Sequence, residues 1–418
     1  MRLNNARHAM DSDSEKNPRT MTGSSPPSST SSSPFVDILD HAASFLRALI
    51  RHALAPRAAL HHEVPFPRGL SRRLIDDCFH AASVILEAFE RRYRMKWKLQ
   101  DYEAQLGVKQ SGRNELLEAR LAEMFPSLWS QGKDGYPVEH RPAVVLDNDG
   151  VILMVYAPGV LRKDRQVIIT SAVEELGKAS PPTVKLKSQT WRTDTGTFKN
   201  PELCEIPPGV ACFAPAWWAV GHEKSSLPGP STPLKSKSGI KFVDEMEESL
   251  ALVGAILSVV HPELYEIGCH VMNEMRVADE SQVKYPEQVH RVLKTWASPF
   301  TALSLIINRE TIQHRDTSGP RYGMDILVTG GRYENGRFET PGLGLRWAYD
   351  PGTLVALLGK ILLHGVAPVN GERWCLAHFW RERLVTNSNR SMPAPPILSQ
   401  LLSQLKTPEE SEELGAFT

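Results

Sequence analysis

The sequence is poor in cysteine and has no charge excess. Its five cysteines, Cys78, Cys204, Cys212, Cys269 and Cys375, are odd in number and widely scattered, and none forms a C-x-x-C pair. That argues against a disulfide framework and a structural zinc site, and points to a reducing compartment. The 48 basic residues balance 48 acidic ones. No whole-molecule field draws in nucleic acid, so any polyanion site must be a local patch. The longest apolar run, Leu250 to Val260, is too short to span a bilayer, and no apolar signal-type segment stands at the N-terminus. No internal repeat is visible. These absences predict a soluble intracellular protein without a membrane partner.

What is present suffices for a large core: 418 residues, 41% of them hydrophobic. Residues 1–34 end in SSPPSSTSSSP, a composition expected to stay disordered. Residues 35–135 read as a helical region. Apolar positions recur at helical spacing from Phe35 to Leu54, and again behind Ser71 from Leu74 through Cys78, Phe79, Leu86, Phe89 and Tyr93 to Trp97. The second helix would carry Arg91, Arg92, Arg94, Lys96 and Lys98 in its last turns, where cations suit the dipole. A short helix is expected over residues 113–125. From about 140 to 390 the pattern is that of one β-rich domain. Ala143–Leu146 and Val151–Tyr156 flank Asp147-Asn148-Asp149-Gly150 as a hairpin, and residues 224–239, rich in Ser, Pro and Lys, read as a flexible insertion loop. Helices are expected over 242–260 and 263–274, and 391–418 as a C-terminal tail.

Beyond Phe300 short strands crowd together: 303–308, 324–329, 342–349, 353–358, 361–363 and 374–380. Gly330-Gly331, Asn335-Gly336 and Asp350-Pro351-Gly352 supply turn chemistry between them. The expected fold is α+β, a double-stranded β-helix (jelly roll, cupin-like) with flanking helices. Into it the chain places His314-Arg315-Asp316, whose outer side chains point the same way on extended backbone. His364 follows 50 residues later, at the expected end of strand 361–363. Two histidines and a carboxylate leave sites open on a metal, the arrangement of non-haem Fe(II) oxygenases. Arg373, nine residues after His364, is placed to clasp a dicarboxylate such as 2-oxoglutarate through two parallel hydrogen bonds. H-x-D alone is a weak signal; its combination with the second histidine and the arginine is strong.

The stretches NRETIQHRDTSGPRYG, GLGLRWAYDPGTLVALLGKILLHGV and GERWCLAHFW resemble the TET/JBP group of DNA-modifying oxygenases, in particular its compact fungal members. The resemblance is sharpest over 303–381; FAPAWWAVGHE (213–223) is similar too, without an assigned role. It implies oxidation of a methyl group on a base of double-stranded DNA in the nucleus, with Fe(II), 2-oxoglutarate and O2. His314, Asp316 and His364 match the iron ligands and Arg373 the co-substrate arginine. Arg309 matches a second 2-oxoglutarate contact, Phe379 an aromatic ring that stacks on the flipped base, and Arg381 a base-edge contact often held by His. At Gly319 the family carries a carboxylate or amide that reads the base's amino group. Its lack here leaves 5-methylcytosine and N6-methyladenine both open, as is the extent of stepwise oxidation. Phosphate contacts are expected among Arg162, Lys163, Arg165, Lys185, Lys187, Arg192, Lys224, Lys235, Lys237 and Lys241. The chain is expected to be monomeric. Rival readings are a 2-oxoglutarate oxygenase acting on a protein or small molecule, a non-catalytic jelly-roll binding module and a zinc hydrolase using the same triad.

Overall fold

The computed structural model describes residues 38–55, 64–107, 114–179, 191–218 and 226–406. The N-terminal tail, Lys185, Lys187 and Lys224 lie outside the described residues. Helices α1 (Ile38–Leu54) and α2 (Arg72–Glu90) come first, the latter capped by the Ser71 hydroxyl accepting from Leu74 N at 3.2 Å. The helix expected to run on to Trp97 stops at Glu90. The next residues alternate, Arg92, Arg94 and Lys96 exposed against half-buried Tyr93 and buried Met95 and Trp97. That period of two is a strand's, and β1 (Arg92–Arg94) pairs in parallel with residues 144–146. The basic cluster is therefore a strand edge and not a helix end.

Helices α3 (Leu99–Ala104) and α4 (Glu115–Met124) follow, then β2 (Val138–Glu139), the hairpin β3 (Ala143–Leu146) and β4 (Ile152–Ala157), helix α5 (Lys163–Ala179) and β5 (Gly209–Phe213). Over its described part the Ser/Pro/Lys-rich stretch is packed. Pro228, Pro230, Ser231 and Leu234 are buried, and residues from Lys237 already belong to α6 (Lys237–Val260). Helices α7 (Pro262–Val277) and α8 (Pro286–Leu293) lead into β6 (Ala302–Ile307), β7 (Thr311–His314), β8 (Asp325–Glu334), β9 (Arg337–Thr340), β10 (Leu345–Ala348), β11 (Leu354–Leu357), β12 (His364–Val366) and β13 (Asn370–Phe379). Helices α9 (Glu382–Asn387) and α10 (Leu398–Lys406) end the described chain.

The strands form two sheets, in the orders β1-β3-β4-β11-β8-β13-β6-β5 and β2-β10-β9-β12-β7. Together they make the jelly roll, with a cavity between them. Helices α2, α5 and α6 cover the outer face of the large sheet, where Phe213 stacks on Phe242 at 4.9 Å and Trp374 Nε1 donates to Thr170 Oγ1 at 3.0 Å. Alternation along β13 sorts its side chains: Trp374, Leu376 and His378 are buried outward, while Arg373, Cys375, Ala377 and Phe379 line the cavity.

Two local expectations fail for physical reasons. Gly330-Gly331 is not a turn but lies within β8. A Cβ at Gly330 would strike the Trp374 indole across the ladder, and Gly331 sits at φ +118°, so glycine here permits a close approach and a kink inside a strand. Ile361–Leu363 is not a strand either. It forms a buried turn, and His364 opens β12 instead of ending a strand. A continuous apolar run reports burial but not backbone state.

Candidate active site

The cavity between the sheets has a volume of about 360 Å³. On one wall β7 and β12 pair antiparallel with His364 directly opposite His314, so their side chains emerge together and the imidazole centroids stand 4.4 Å apart. Asp316 lies two residues beyond β7, in a loop fixed by Asp316 N donating to Gly359 O at 2.9 Å. Its Oδ1 is 3.5 Å from His314 Nε2 and its Oδ2 3.5 Å from His364 Nε2. One ligand atom from each residue falls within 4.8 Å of the others.

The donor set fits a divalent cation. His314 Nδ1 contacts Ile312 O and His364 Nδ1 contacts Leu362 O, both at 2.9 Å. A carbonyl oxygen only accepts, so each Nδ1 carries a proton and each Nε2 is the ring nitrogen that faces Asp316. Burial pushes the His314 pKa down and neighbouring His364 adds to this, which keeps that ring in its ligating form. Burial alone would raise the Asp316 carboxyl, but its contacts with the two histidines outweigh this and hold the group well below the usual carboxylate range. Both effects favour the protonation states that a metal requires.

The other residues expected from the sequence gather in the same cavity. Arg373 is buried; its Nη2 donates to Arg309 O at 2.8 Å, while Nη1 has no partner. A buried guanidinium nitrogen without an acceptor, on a residue that lines the cavity, suits an incoming carboxylate. Arg309 also lines the cavity and donates through Nη1 to Arg192 O at 2.9 Å; burial, then the charge of Arg373, pushes its pKa down to about 10. At the opposite end, the Arg381 guanidinium lies 4.9 Å from the Trp217 ring centroid and 5.1 Å from that of Phe379. Gly319 lines the cavity, and its carbonyl accepts from Lys360 Nζ at 2.7 Å. His378 points away from the cavity, against Phe300 at 5.4 Å.

Two cavity residues escaped the sequence reading. Asp325 opens β8 and is buried, its Oδ1 without a partner; burial, then the charge of Asp316, pushes its carboxyl well above the usual range. A charge set flush against the apolar run Ile326-Leu327-Val328 was the available signal. Arg192, expected among phosphate contacts, instead donates from Nη2 to Asp316 Oδ1 at 2.9 Å. Nothing local to its sequence reveals that contact across 124 residues. Arg165 also departs from the phosphate set. It is 1% exposed and paired with Asp77 at 2.8 Å and Glu248 at 2.7 Å, a structural role. Arg162 is paired with Asp76 and Asp164, both at 3.5 Å. Lys241 is paired with Glu175 and Glu245, and Lys235 lies over the Tyr285 ring at 5.6 Å. Among the described residues no helix is long and apolar enough to cross a membrane.

Residues 217–382 match the Tet_JBP family model, the oxygenase domain of the 2OGFeDO superfamily. No curated protein matches the chain. Among solved structures, NgTET1 in complex with 5mC DNA is 14% identical, with 78% of this chain and 98% of that one covered at a TM-score of 0.42. An oxidoreductase of the 2OG-Fe(II) oxygenase family from Burkholderia pseudomallei is 10% identical, with 54% and 82% covered at 0.29. A C-terminally truncated Neurospora crassa protein in its apo form is 13% identical, with 55% and 82% covered at 0.24. Over residues 217–382 the chain is similar to the oxygenase domain of the 2OGFeDO superfamily, and with the His314, Asp316 and His364 cluster the protein is an Fe(II)- and 2-oxoglutarate-dependent dioxygenase.

Proposed function

We propose that this dioxygenase oxidises the methyl group of a methylated base in DNA, with 5-methylcytosine preferred over N6-methyladenine. His314, Asp316 and His364 hold the iron, and Arg373, braced by Arg309, receives the distal carboxylate of 2-oxoglutarate. Bound there, iron with 2-oxoglutarate and O2 supplies the oxidising power that inserts one oxygen atom into a C–H bond, with release of CO2 and succinate. The chain's own task is to bind, orient and keep water out.

One observation carries the choice of substrate. The cavity combines the iron-ligand cluster with an aromatic and cationic slot (Phe379 and Arg381) and a buried carboxyl oxygen that no donor meets (Asp325 Oδ1). A flat heterocycle suits that slot. Cytosine presents an amino donor next to two acceptors, the ring nitrogen and the carbonyl oxygen. Asp325 accepts from the first and Arg381, which only donates, serves the others. Asp325 thus takes up the work expected of a carboxylate at Gly319, where an added Cβ would meet only Asp316 O at 3.3 Å. N6-methyladenine offers its amino group and one ring acceptor on that edge and satisfies the pair less fully. A paired base cannot reach the iron, so the target must leave the duplex, at a cost of roughly a few kcal/mol. The described cations not absorbed into ion pairs, Lys163 and Lys237 among them, are candidates to offset that cost through phosphate contacts.

The test is mass spectrometry of nucleosides after incubation with duplexes carrying either base, beside His314→Ala and Asp316→Ala controls. We expect 5-hydroxymethylcytosine from wild type, less turnover of N6-methyladenine, and no product from the controls. Asp325→Asn, which offers an amide in place of the carboxyl, should narrow the preference between the bases. Succinate release on peptides or small molecules with none on either duplex would overturn the proposal.

A further inference from the structure

The loop that carries Asp316 is gripped by helices far upstream, outside the matched oxygenase domain. Arg315, between the two ligands, turns its side chain away from the cavity and is 3% exposed. Its guanidinium meets Glu118 of α4 in a fork, Nε to Oε1 at 2.8 Å and Nη2 to Oε2 at 2.6 Å. Nη2 also donates to the Tyr102 hydroxyl of α3 at 2.9 Å, and the guanidinium carbon lies 5.6 Å from that ring's centroid. Tyr102 is held in turn by stacking on Trp97 at 4.6 Å. A second grip follows: Glu103 takes Arg321 Nε on Oε1 and the Tyr322 hydroxyl on Oε2, both at 2.6 Å. Three side chains of the segment 315–322 are thus held by three side chains of α3 and α4.

We propose that Glu118, Tyr102 and Glu103 are positioning residues of the iron centre. The inference rests on the reading of His314, Asp316 and His364 as ligands. His314 and His364 are set by a strand ladder, but Asp316 stands beyond the end of β7, where no ladder fixes it. On the cavity side the Gly359 carbonyl, the Lys360 ammonium and the Arg192 guanidinium tie its loop down. The bidentate Arg315–Glu118 pair supplies the opposing restraint, and a planar fork fixes direction as well as distance. Because Arg315 separates the two ligands, any rotation of its backbone moves both. Groups that orient ligands without touching the metal commonly change metal affinity about 10- to 100-fold.

The experiment is an anaerobic titration with Fe(II) alone, read as its Kd, on the full chain. Glu118→Gln breaks the charge-assisted fork, and we expect a Kd about tenfold higher, with Glu103→Gln in the same direction. Arg315→Lys, which keeps the charge but not the fork, should fall between wild type and Glu118→Gln. Glu118→Gln leaves a buried cation poorly paired and can fail to fold, so the double variant Arg315→Met with Glu118→Met removes both charges while filling the space. Folded by near-ultraviolet circular dichroism, it should still bind Fe(II) about tenfold more weakly than wild type. Wild-type affinity in the folded double variant would overturn the inference and leave the ligand assignment standing. Failure of wild type itself to bind Fe(II) more tightly than Asp316→Ala would overturn both.

Discussion

Arg373 shows how much can hang on one side chain. It is 4% exposed, anchored by its backbone N to Asn308 Oδ1 at 3.0 Å and by Nη2 to Arg309 O, with Nη1 left without a partner. The guanidinium is therefore pre-aimed, and a ligand carboxylate meets a donor that spends no rotamer entropy on binding. Lysine at this position would bring the charge without the fork. Hydrogen bonds to charged groups contribute about 1.5–3 kcal/mol, so Arg373→Lys should raise the KM for 2-oxoglutarate roughly ten- to a hundredfold. Steady-state kinetics at saturating Fe(II) measure this; a KM within twofold of wild type would refute the role. The residues that the sequence revealed at this scale share a trait. His314 and Asp316, and again His364 and Arg373, stand at short spacings in or beside strand patterns. Asp325 and Arg192 act through space, and no spacing announces them.

At the scale of elements, β13 explains both what was legible and what was not. Its alternation was readable, and it places Arg373, Cys375, Ala377 and Phe379 on one face. The same alternation sends His378 outward into the core, 1% exposed, both ring nitrogens without partners and its pKa pushed down to about 3 by burial. His261, at the junction of α6 and α7, is in the same state, also at about 3. The sign follows directly. In the folded protein these rings stay neutral, whereas in the unfolded chain they take up protons below about pH 6.5. Their contribution is complete above that pH and is lost as pH falls toward 3, by up to about 1.4 kcal/mol per pH unit for each ring. Replacing His378 with Leu should flatten the acid limb of a denaturant-unfolding stability profile between pH 6.5 and 4. An unchanged limb would mean that the ring is protonated within the fold. Elsewhere, element boundaries misled where two periods competed. The segment after Glu90 continues an apolar pattern while its charges switch to a period of two, and Gly330-Gly331 serves ladder packing and not a turn.

The whole molecule binds its parts more closely than a division into tail, helices and catalytic domain suggests. Strand β1 extends the large sheet, α1 packs against α6, and buried Leu398, Leu401 and Leu405 of α10 join the same core. None of this is written in local patterning, because sequence periodicity tells which face of an element is apolar but not what covers it. The proposed iron centre depends on that assembly, since its candidate ligands come from β7, β12 and the loop between β7 and β8, with the Arg315 grip reaching back to α4. The central claim is that these ligands and Arg373 form one binding site for Fe(II) and 2-oxoglutarate together. Its most direct test is anaerobic addition of Fe(II) and 2-oxoglutarate while visible absorption is recorded. A weak charge-transfer band should develop in wild type, saturating at one iron per chain, and should be missing in Asp316→Ala. Absence of the band in folded wild type, or its persistence in Asp316→Ala, would contradict the account.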